Sequence, residues 1–217
     1  MKRDPNFDHL ADRVESLRAS LRPFDPQMLA ARTGATYTPS GPGRGEFSLP
    51  LWGIQTLVSY PGFVAKDESS PETLPSHAQT LLLYYFLTSD GVPLSNTWIS
   101  FSELPEGRFY VQAFQGYTGQ VIARTFSNDL KAFLQAAETL GGKRESLGEA
   151  SFSFPVLPHV SILAVYWLGD EDFPSTSQIL FDAAISHHLP TDACAILGST
   201  LTGRIIKAKE KSYETGH

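Results

Sequence analysis

The chain has 217 residues, of which 41% are hydrophobic, so it is long enough to bury a core, and we expect one domain over residues 1–217. Its 17 basic and 23 acidic side chains give a formal net charge of −6, which argues against nucleic-acid binding because that function needs clustered positive charge. The single cysteine, Cys194, excludes an internal disulfide and a zinc or iron–sulfur site held by cysteines of this chain alone.

The N-terminal residues MKRDPNFDHLADR contain no apolar stretch typical of a signal peptide. No segment approaches the roughly 18 consecutive apolar residues of a membrane-spanning helix. We therefore expect a cytoplasmic protein without a membrane partner. A single cysteine is compatible with such a reducing compartment.

The first part of the chain predicts two helices and a loop. Apolar residues at helical spacing predict a helix over Asp8–Leu21. Asp25 followed by Pro26 is a helix-start signal, which predicts a short helix over Pro26–Arg32 that ends before Gly34. The glycine-rich stretch Thr36–Gly45 lacks the preceding strand and the final Gly-Lys-Ser/Thr of a phosphate-binding loop, so we expect an irregular loop there.

The middle of the chain predicts a hairpin and a buried helix. Glu46–Leu51 and Ile54–Tyr60 are typical of two strands joined at a tight turn. His77–Thr88 is apolar on all sides, which indicates a helix enclosed by other elements and therefore the centre of the fold. Further along we predict strands at Thr97–Phe101, Arg108–Phe114 and Ser151–Val156, and helices at Asp129–Leu140 and from Thr191 or Asp192 to about Lys209.

The segment Pro158–Asp192 holds most of the candidate chemistry. Val160–Leu168 is almost continuously apolar, which predicts a strand buried on both faces. Pro174 favours the start of a helix, whose positive end would accommodate the preceding acidic residues Asp170, Glu171 and Asp172. On that helix Asp182 would lie on a polar stripe, facing water or a cleft.

These elements predict an α+β fold, with a mixed or antiparallel sheet packed with helices around a buried central helix. Residues 46–88 and 151–187 resemble each other as a hairpin followed by a helix. They could mark two similar lobes, 1–125 and 126–217. Chance similarity between β-rich segments explains the likeness equally well.

The ligand-binding candidates border the predicted cleft; they are Asp170, Glu171, Asp172, Asp182 and Glu103. Metal binding has weaker support, with Asp182, His187 and His188 as candidate ligands. An EF-hand loop begun at Asp170 would need glycine at its sixth position and glutamate at its twelfth, where this chain has serine and phenylalanine. The acidic residues therefore fit charge complementation at a helix start better than a metal site.

Two further residues allow two interpretations each. Glu103 could act as an acid or base, and it could equally cap a turn. Cys194 lies in the first turn of the last predicted helix, where a nucleophilic thiol is conceivable. Its apolar neighbours are more typical of a buried small hydrophobe.

Three segments, LLLYYFLTSDGVPL, WISFSELPEG and GDEDFPSTSQILFDAAISHHLPTD, resemble a bacterial and archaeal family known as domain of unknown function 3786. The resemblance covers most of the chain from the second helix onward. It implies an association with iron–sulfur or corrinoid proteins of anaerobic one-carbon metabolism, because relatives can carry a cysteine-rich iron–sulfur module. This chain departs from that arrangement, having one cysteine, so any cluster would come from a partner. The resemblance implies no catalytic residues.

Two functions remain as hypotheses. The first is a non-catalytic binding or accessory module for a small cofactor-like ligand or a redox partner. The alternative is a metal-dependent, hydrolase-like enzyme that uses the acidic cluster and one histidine. The sequence identifies no cofactor, catalytic residue or oligomeric state.

Overall fold

In the computed structural model, the backbone is described for residues 5–214 and the side chains for residues 12–211. The helices are α1 (Pro5–Leu21), α2 (Pro26–Thr33), α3 (Ser76–Thr88), α4 (Gly107–Tyr117), α5 (Gly119–Phe126), α6 (Leu130–Thr139) and α7 (Thr191–Glu214). The strands are β1 (Thr36–Gly41), β2 (Arg44–Leu51), β3 (Ile54–Tyr60), β4 (Ala65–Asp67), β5 (Trp98–Ser100), β6 (Lys143–Glu145), β7 (Ala150–Leu157), β8 (Val160–Trp167) and β9 (Thr176–Asp182). The predicted α+β class is confirmed, with two antiparallel sheets.

The chain divides into two compact units. The first unit contains the described residues up to Leu94 together with Pro155–Val160 and Ala184–Ala193. The second unit contains Ser95–Phe154, Ser161–Ala183 and the described residues from Cys194 onward. The prediction of one domain with lobes 1–125 and 126–217 stays a prediction.

The first unit holds a four-stranded sheet in the order β1-β2-β3-β4 with helices α1 to α3. The Asp25 carboxylate accepts a hydrogen bond from the Met28 amide at 2.9 Å, and Gly34 follows α2 at φ 66°, so both predicted ends of this helix are confirmed. Helix α3 is buried on all sides from Gln79 to Phe86, as its apolar sequence predicts, and α1 packs along it.

A five-stranded sheet in the order β5-β9-β8-β7-β6 lies mostly in the second unit. Strand β8 is buried along almost its whole length, which confirms the prediction of an interior strand. Aromatic rings fill the interior: Phe101 stacks on Phe114 at 4.1 Å, and Phe133 stacks on Tyr166 at 4.8 Å. Helix α5 packs directly against β9, so the start of that strand lies beside the helix.

The most consequential wrong prediction concerns β9, since the stretch after Pro174 forms a strand and no helix. Burial alternates along it, with Ser177, Ile179 and Phe181 buried, and Phe181 pairs with Ile162 of β8. Strand pairing with β8 therefore determines the structure of this segment, in spite of the helix-start signal of Pro174. The repeat of a hairpin followed by a helix is wrong for the same reason, because the second half ends in a strand.

Two other predictions are also wrong. The expected loop at Thr36–Gly45 forms β1 and the start of β2, and the Tyr37 ring lies 5.0 Å from Phe47. An edge strand tolerates Pro39, which has no amide hydrogen to donate. The expected strand at Arg108–Phe114 belongs to α4, whose buried residues Gly107 and Phe114 are seven positions apart, a helical spacing.

Within the part of the chain that the structure describes, the helices are too short or too polar to cross a lipid bilayer.

The close packing of α5 on β9 predicts a strong effect of one added methyl group. A Cβ at Gly119 would collide with the carbonyl oxygen of Ser177, so we expect Gly119→Ala to lower the free energy of unfolding by about 3 kcal/mol. Gly203→Ala in α7 is the matched control, because its added Cβ would meet no described atom within 4 Å apart from the neighbouring backbone of its own helix. Alanine's helix propensity should make that variant about 1 kcal/mol more stable. Urea unfolding monitored by circular dichroism measures both, and equal stability of the two variants would contradict the close packing.

Candidate functional site

The acidic residues after β8 form an exposed turn and not a helix start. The Asp170 carboxylate accepts hydrogen bonds from the amides of Phe173 at 2.8 Å and Asp172 at 2.9 Å. These two bonds, the Phe173 amide first, hold the pKa of Asp170 below its ordinary value. Glu171 and Asp172 are exposed on the same turn. The prediction that these charges complement a helix dipole is wrong, because no helix begins here.

Asp182 does not face water or a cleft, so that prediction is wrong as well. Its side chain lies at the end of β9 and is only 1% exposed. It accepts hydrogen bonds from the Ser95 amide and the Ser95 hydroxyl, both at 3.0 Å, and from the Asn96 amide at 2.7 Å. The carboxylate therefore fixes the chain just before β5 and has a structural role.

Glu103 caps a turn, in agreement with one of its two interpretations. Its carboxylate accepts hydrogen bonds from the Ser100 amide at 2.7 Å and the Ser100 hydroxyl at 2.8 Å. Together these residues form a capping box around the short 3-10 helix Phe101–Glu103. The two bonds, the backbone one first, keep the pKa of Glu103 below its ordinary value, so the group is a poor general acid near neutral pH.

The two adjacent histidines of the first unit have different environments. His188 is fully buried, and its Nε2 donates to the carbonyl of Val92 at 2.9 Å. Because a carbonyl only accepts, neutral His188 carries its proton on Nε2, and Nδ1 accepts from the Ser89 hydroxyl at 2.9 Å. Burial lowers the pKa of His188, and the nearby ring of His159, stacked at 5.3 Å, adds to this effect.

His187 is half-exposed and pairs with Asp90, with 2.7 Å between Nδ1 and Oδ2. The hydrogen bond from His187 lowers the pKa of Asp90.

Among the residues that the structure describes, no group of three or more His, Cys, Asp or Glu could hold a metal ion. Cys194 is 1% exposed, as expected of a buried small hydrophobe.

A cavity of about 730 Å³ lies in the second unit, between α5 and the start of β9. We call this cavity the α5–β9 groove. It touches the segment Gly169–Asp182 that the sequence singles out, but none of the described residues lining it is acidic. The lining residues are Gln115, Gln120, Ala123, Arg124, Ser127, Asn128, Pro174, Ser175, Thr176 and Ser177.

Hydrogen bonds tie the two walls of the α5–β9 groove together. The side-chain carboxamide of Gln115, in α4, donates to the Ser177 carbonyl at 2.6 Å. The Asn128 side chain, just after α5, accepts from the Gly169 amide at 2.8 Å and donates to the Gly169 carbonyl at 3.3 Å. The Ser175 hydroxyl donates to the Ala123 carbonyl at 3.3 Å. These hydrogen bonds hold the walls in place, which favours a preformed binding site.

The sequence did not lead us to the residues of α5 in this groove. Their helix was not predicted, although Ile122, Ala123 and Phe126 are buried at positions i, i+1 and i+4, a helical pattern. The segment GQVIARTF spans eight residues, so the pattern covers only about two turns. Such a short pattern competes weakly with neighbouring signals.

The sequence model of one protein family, described as domain of unknown function 3786 (DUF3786), matches residues 25–204. This match confirms the resemblance and its extent from the second helix onward. No curated protein and no solved structure matches the chain.

The buried carboxylate predicts a large loss of stability when it is removed. Asp182→Ala leaves the amides of Ser95 and Asn96 without their acceptor, so we expect the free energy of unfolding to fall by about 3 kcal/mol. Asp172→Ala on the exposed turn should leave stability almost unchanged. Urea unfolding compares the two variants, and a stable Asp182→Ala protein would disprove the structural role.

His188 predicts a loss of stability in weak acid. Its folded-state pKa lies below the ordinary 6.5, so the unfolded chain binds the proton first. Stability is therefore complete above pH 6.5 and decreases as the pH falls toward the folded-state pKa. His188→Gln should flatten this dependence, whereas His77→Gln, at an exposed histidine, should preserve it.

Urea unfolding between about pH 7.5 and pH 5 measures this pH dependence, above the range in which Asp90 titrates. Wild-type stability that stays constant over that range would contradict the expectation.

Proposed function

Because the chain belongs to the DUF3786 family, whose description gives no activity, we propose that it is a non-catalytic binding or accessory module of the cytoplasm. Its ligand is a small, polar, cofactor-like molecule that occupies the α5–β9 groove. The observation that carries this proposal is the groove itself, which is preformed and has a volume of about 730 Å³, within the usual range for small-molecule sites.

The lining of the groove supports binding over catalysis. Its described side chains offer hydroxyl groups, carboxamides and one guanidinium group, which orient a polar ligand. Chemical steps commonly need a nucleophile beside a base, or an acid and a base. The described lining includes serine hydroxyls but no histidine, cysteine, lysine or carboxylate to activate them.

A protein partner forms the second part of the proposal. Helix α4 exposes Phe109 at 85%, Tyr110 at 63% and Tyr117 at 42%, and exposed aromatic side chains are enriched at protein interfaces. On the basis of the family resemblance, we propose an iron–sulfur or corrinoid protein of anaerobic one-carbon metabolism as this partner. The single cysteine is consistent with a cluster carried by the partner.

Filling the groove tests the binding function. Thr176 is exposed at the start of β9 and lines the groove, so a tryptophan there should occupy the ligand's space. Gln178 is exposed two residues further along the same strand and does not line the groove, which makes Gln178→Trp the matched control. Ligands are sought among metabolite mixtures by saturation-transfer NMR with the purified chain.

We expect the wild-type chain and Gln178→Trp to bind the same compound, and Thr176→Trp to bind it at least about tenfold more weakly. Equal binding by both tryptophan variants would place the ligand elsewhere. Conversion of the bound compound to a product by the purified chain would refute the non-catalytic role.

A further inference from the structure

Arg124 is the basic residue that lines the α5–β9 groove. Its side chain is exposed, and its Nη2 donates to Oε1 of Gln120 at 3.0 Å. It makes no ion pair with a carboxylate in the part of the chain that the structure describes. A guanidinium group has five N–H donors, so most of its hydrogen-bonding capacity is available to a ligand.

The surroundings of Arg124 contrast with the composition of the chain. Acidic residues outnumber basic ones by 23 to 17, yet the described lining of the groove contains none. In the adjacent acidic turn, the Asp170 carboxylate accepts hydrogen bonds from the backbone amides of Asp172 and Phe173. The groove therefore presents positive charge on a protein that is negative overall, which favours an anionic ligand.

The backbone beside Arg124 supports a functional origin for this arrangement. Ser127 also lines the groove and has φ 49° and ψ −125°. Residues other than glycine rarely adopt this backbone conformation. The Ser127 amide makes the last helical hydrogen bond of α5, to the Ala123 carbonyl at 2.8 Å, and the non-helical φ and ψ of this residue end the helix. Strained backbone of this kind concentrates at binding and catalytic sites.

We propose that the α5–β9 groove binds its ligand through a carboxylate or phosphate group held by Arg124. A planar guanidinium group binds two oxygen atoms of such an anion with paired hydrogen bonds. The side-chain oxygen of Gln120 accepts a hydrogen bond from the guanidinium group on one side, and the exposed Thr176 on the opposite wall offers a hydroxyl group to the rest of the ligand. This inference rests on the proposed function and names the chemical class of the ligand.

Arg124 has one other physical role, because it lies in the last turn of α5, where a positive charge complements the helix dipole. That role affects the stability of the folded protein and not the choice of ligand. The two roles are therefore separable by measuring anion binding and thermal unfolding on the same variants.

The experiment is an NMR titration of the ¹⁵N-labelled full chain with citrate, inorganic phosphate and the neutral polyol glycerol, at constant ionic strength. Citrate and phosphate separate the two sources of negative charge, and glycerol reports binding without charge. The variants are Arg124→Gln and, as a matched control, Arg22→Gln, at an exposed arginine outside the groove. Constant ionic strength prevents differences in screening from imitating specific binding.

We expect at least one anion to cause saturable shifts of amides in residues 120–128 and 174–177, with no such shifts from glycerol. Arg124→Gln should weaken this binding at least about tenfold, and Arg22→Gln should leave it unchanged. Tighter binding of citrate would identify a carboxylate ligand, and tighter binding of phosphate a phosphorylated one.

Equal binding by Arg124→Gln and the wild-type chain would overturn the inference, as would saturable shifts with glycerol alone or no anion binding at all. The proposed function would survive these results if the metabolite bound in the groove were neutral. The proposed function has its own test and would be refuted if Thr176→Trp left metabolite binding unchanged.

Discussion

The close approach of α5 to β9 is the contact on which the second unit's candidate site depends. It is possible because Gly119 has no side chain where the helix begins beside the Ser177 carbonyl. The same carbonyl accepts a hydrogen bond from the side-chain carboxamide of Gln115 in α4, so the preceding helix also holds this point of the strand. Helix α5 and strand β9 form the walls of the groove, with Arg124 on one wall and Thr176 on the other.

Much of the fold could be predicted from the sequence because many elements carry local signals that agree with their surroundings. Asp25 and Gly34 mark the ends of α2 by capping chemistry that operates within a few residues. The LLLYYFL core of α3 and almost all of strand β8 are apolar, so a buried position suits them. In these elements, local preference and tertiary packing require the same structure.

The predictions failed where a local signal competes with a distant partner. Pro174 favours a helix start, but the residues after it form a strand paired with β8, and their alternating burial is visible in TSQILFD. That error placed Asp182 on a helix face, whereas it is buried and hydrogen-bonded to Ser95 and Asn96. The predicted ligand-binding residues of this segment were its charged ones, and none of them lines the groove. The groove is lined by that segment's small polar residues and by α5, whose two turns gave too short a pattern to recognise.

Each of the two compact units is assembled from separate stretches of the chain, since the first contains Pro155–Val160 and Ala184–Ala193 in addition to the residues up to Leu94. Cutting the polypeptide at any single peptide bond therefore cannot separate the two units, because one fragment always carries segments of both. The first unit cannot be completed until Ala193 has been synthesised, by which time most of the second unit has also been synthesised. Two fragments divided between Leu94 and Ser95 would have to reassemble to restore the first unit, because its remaining segments lie on the second fragment.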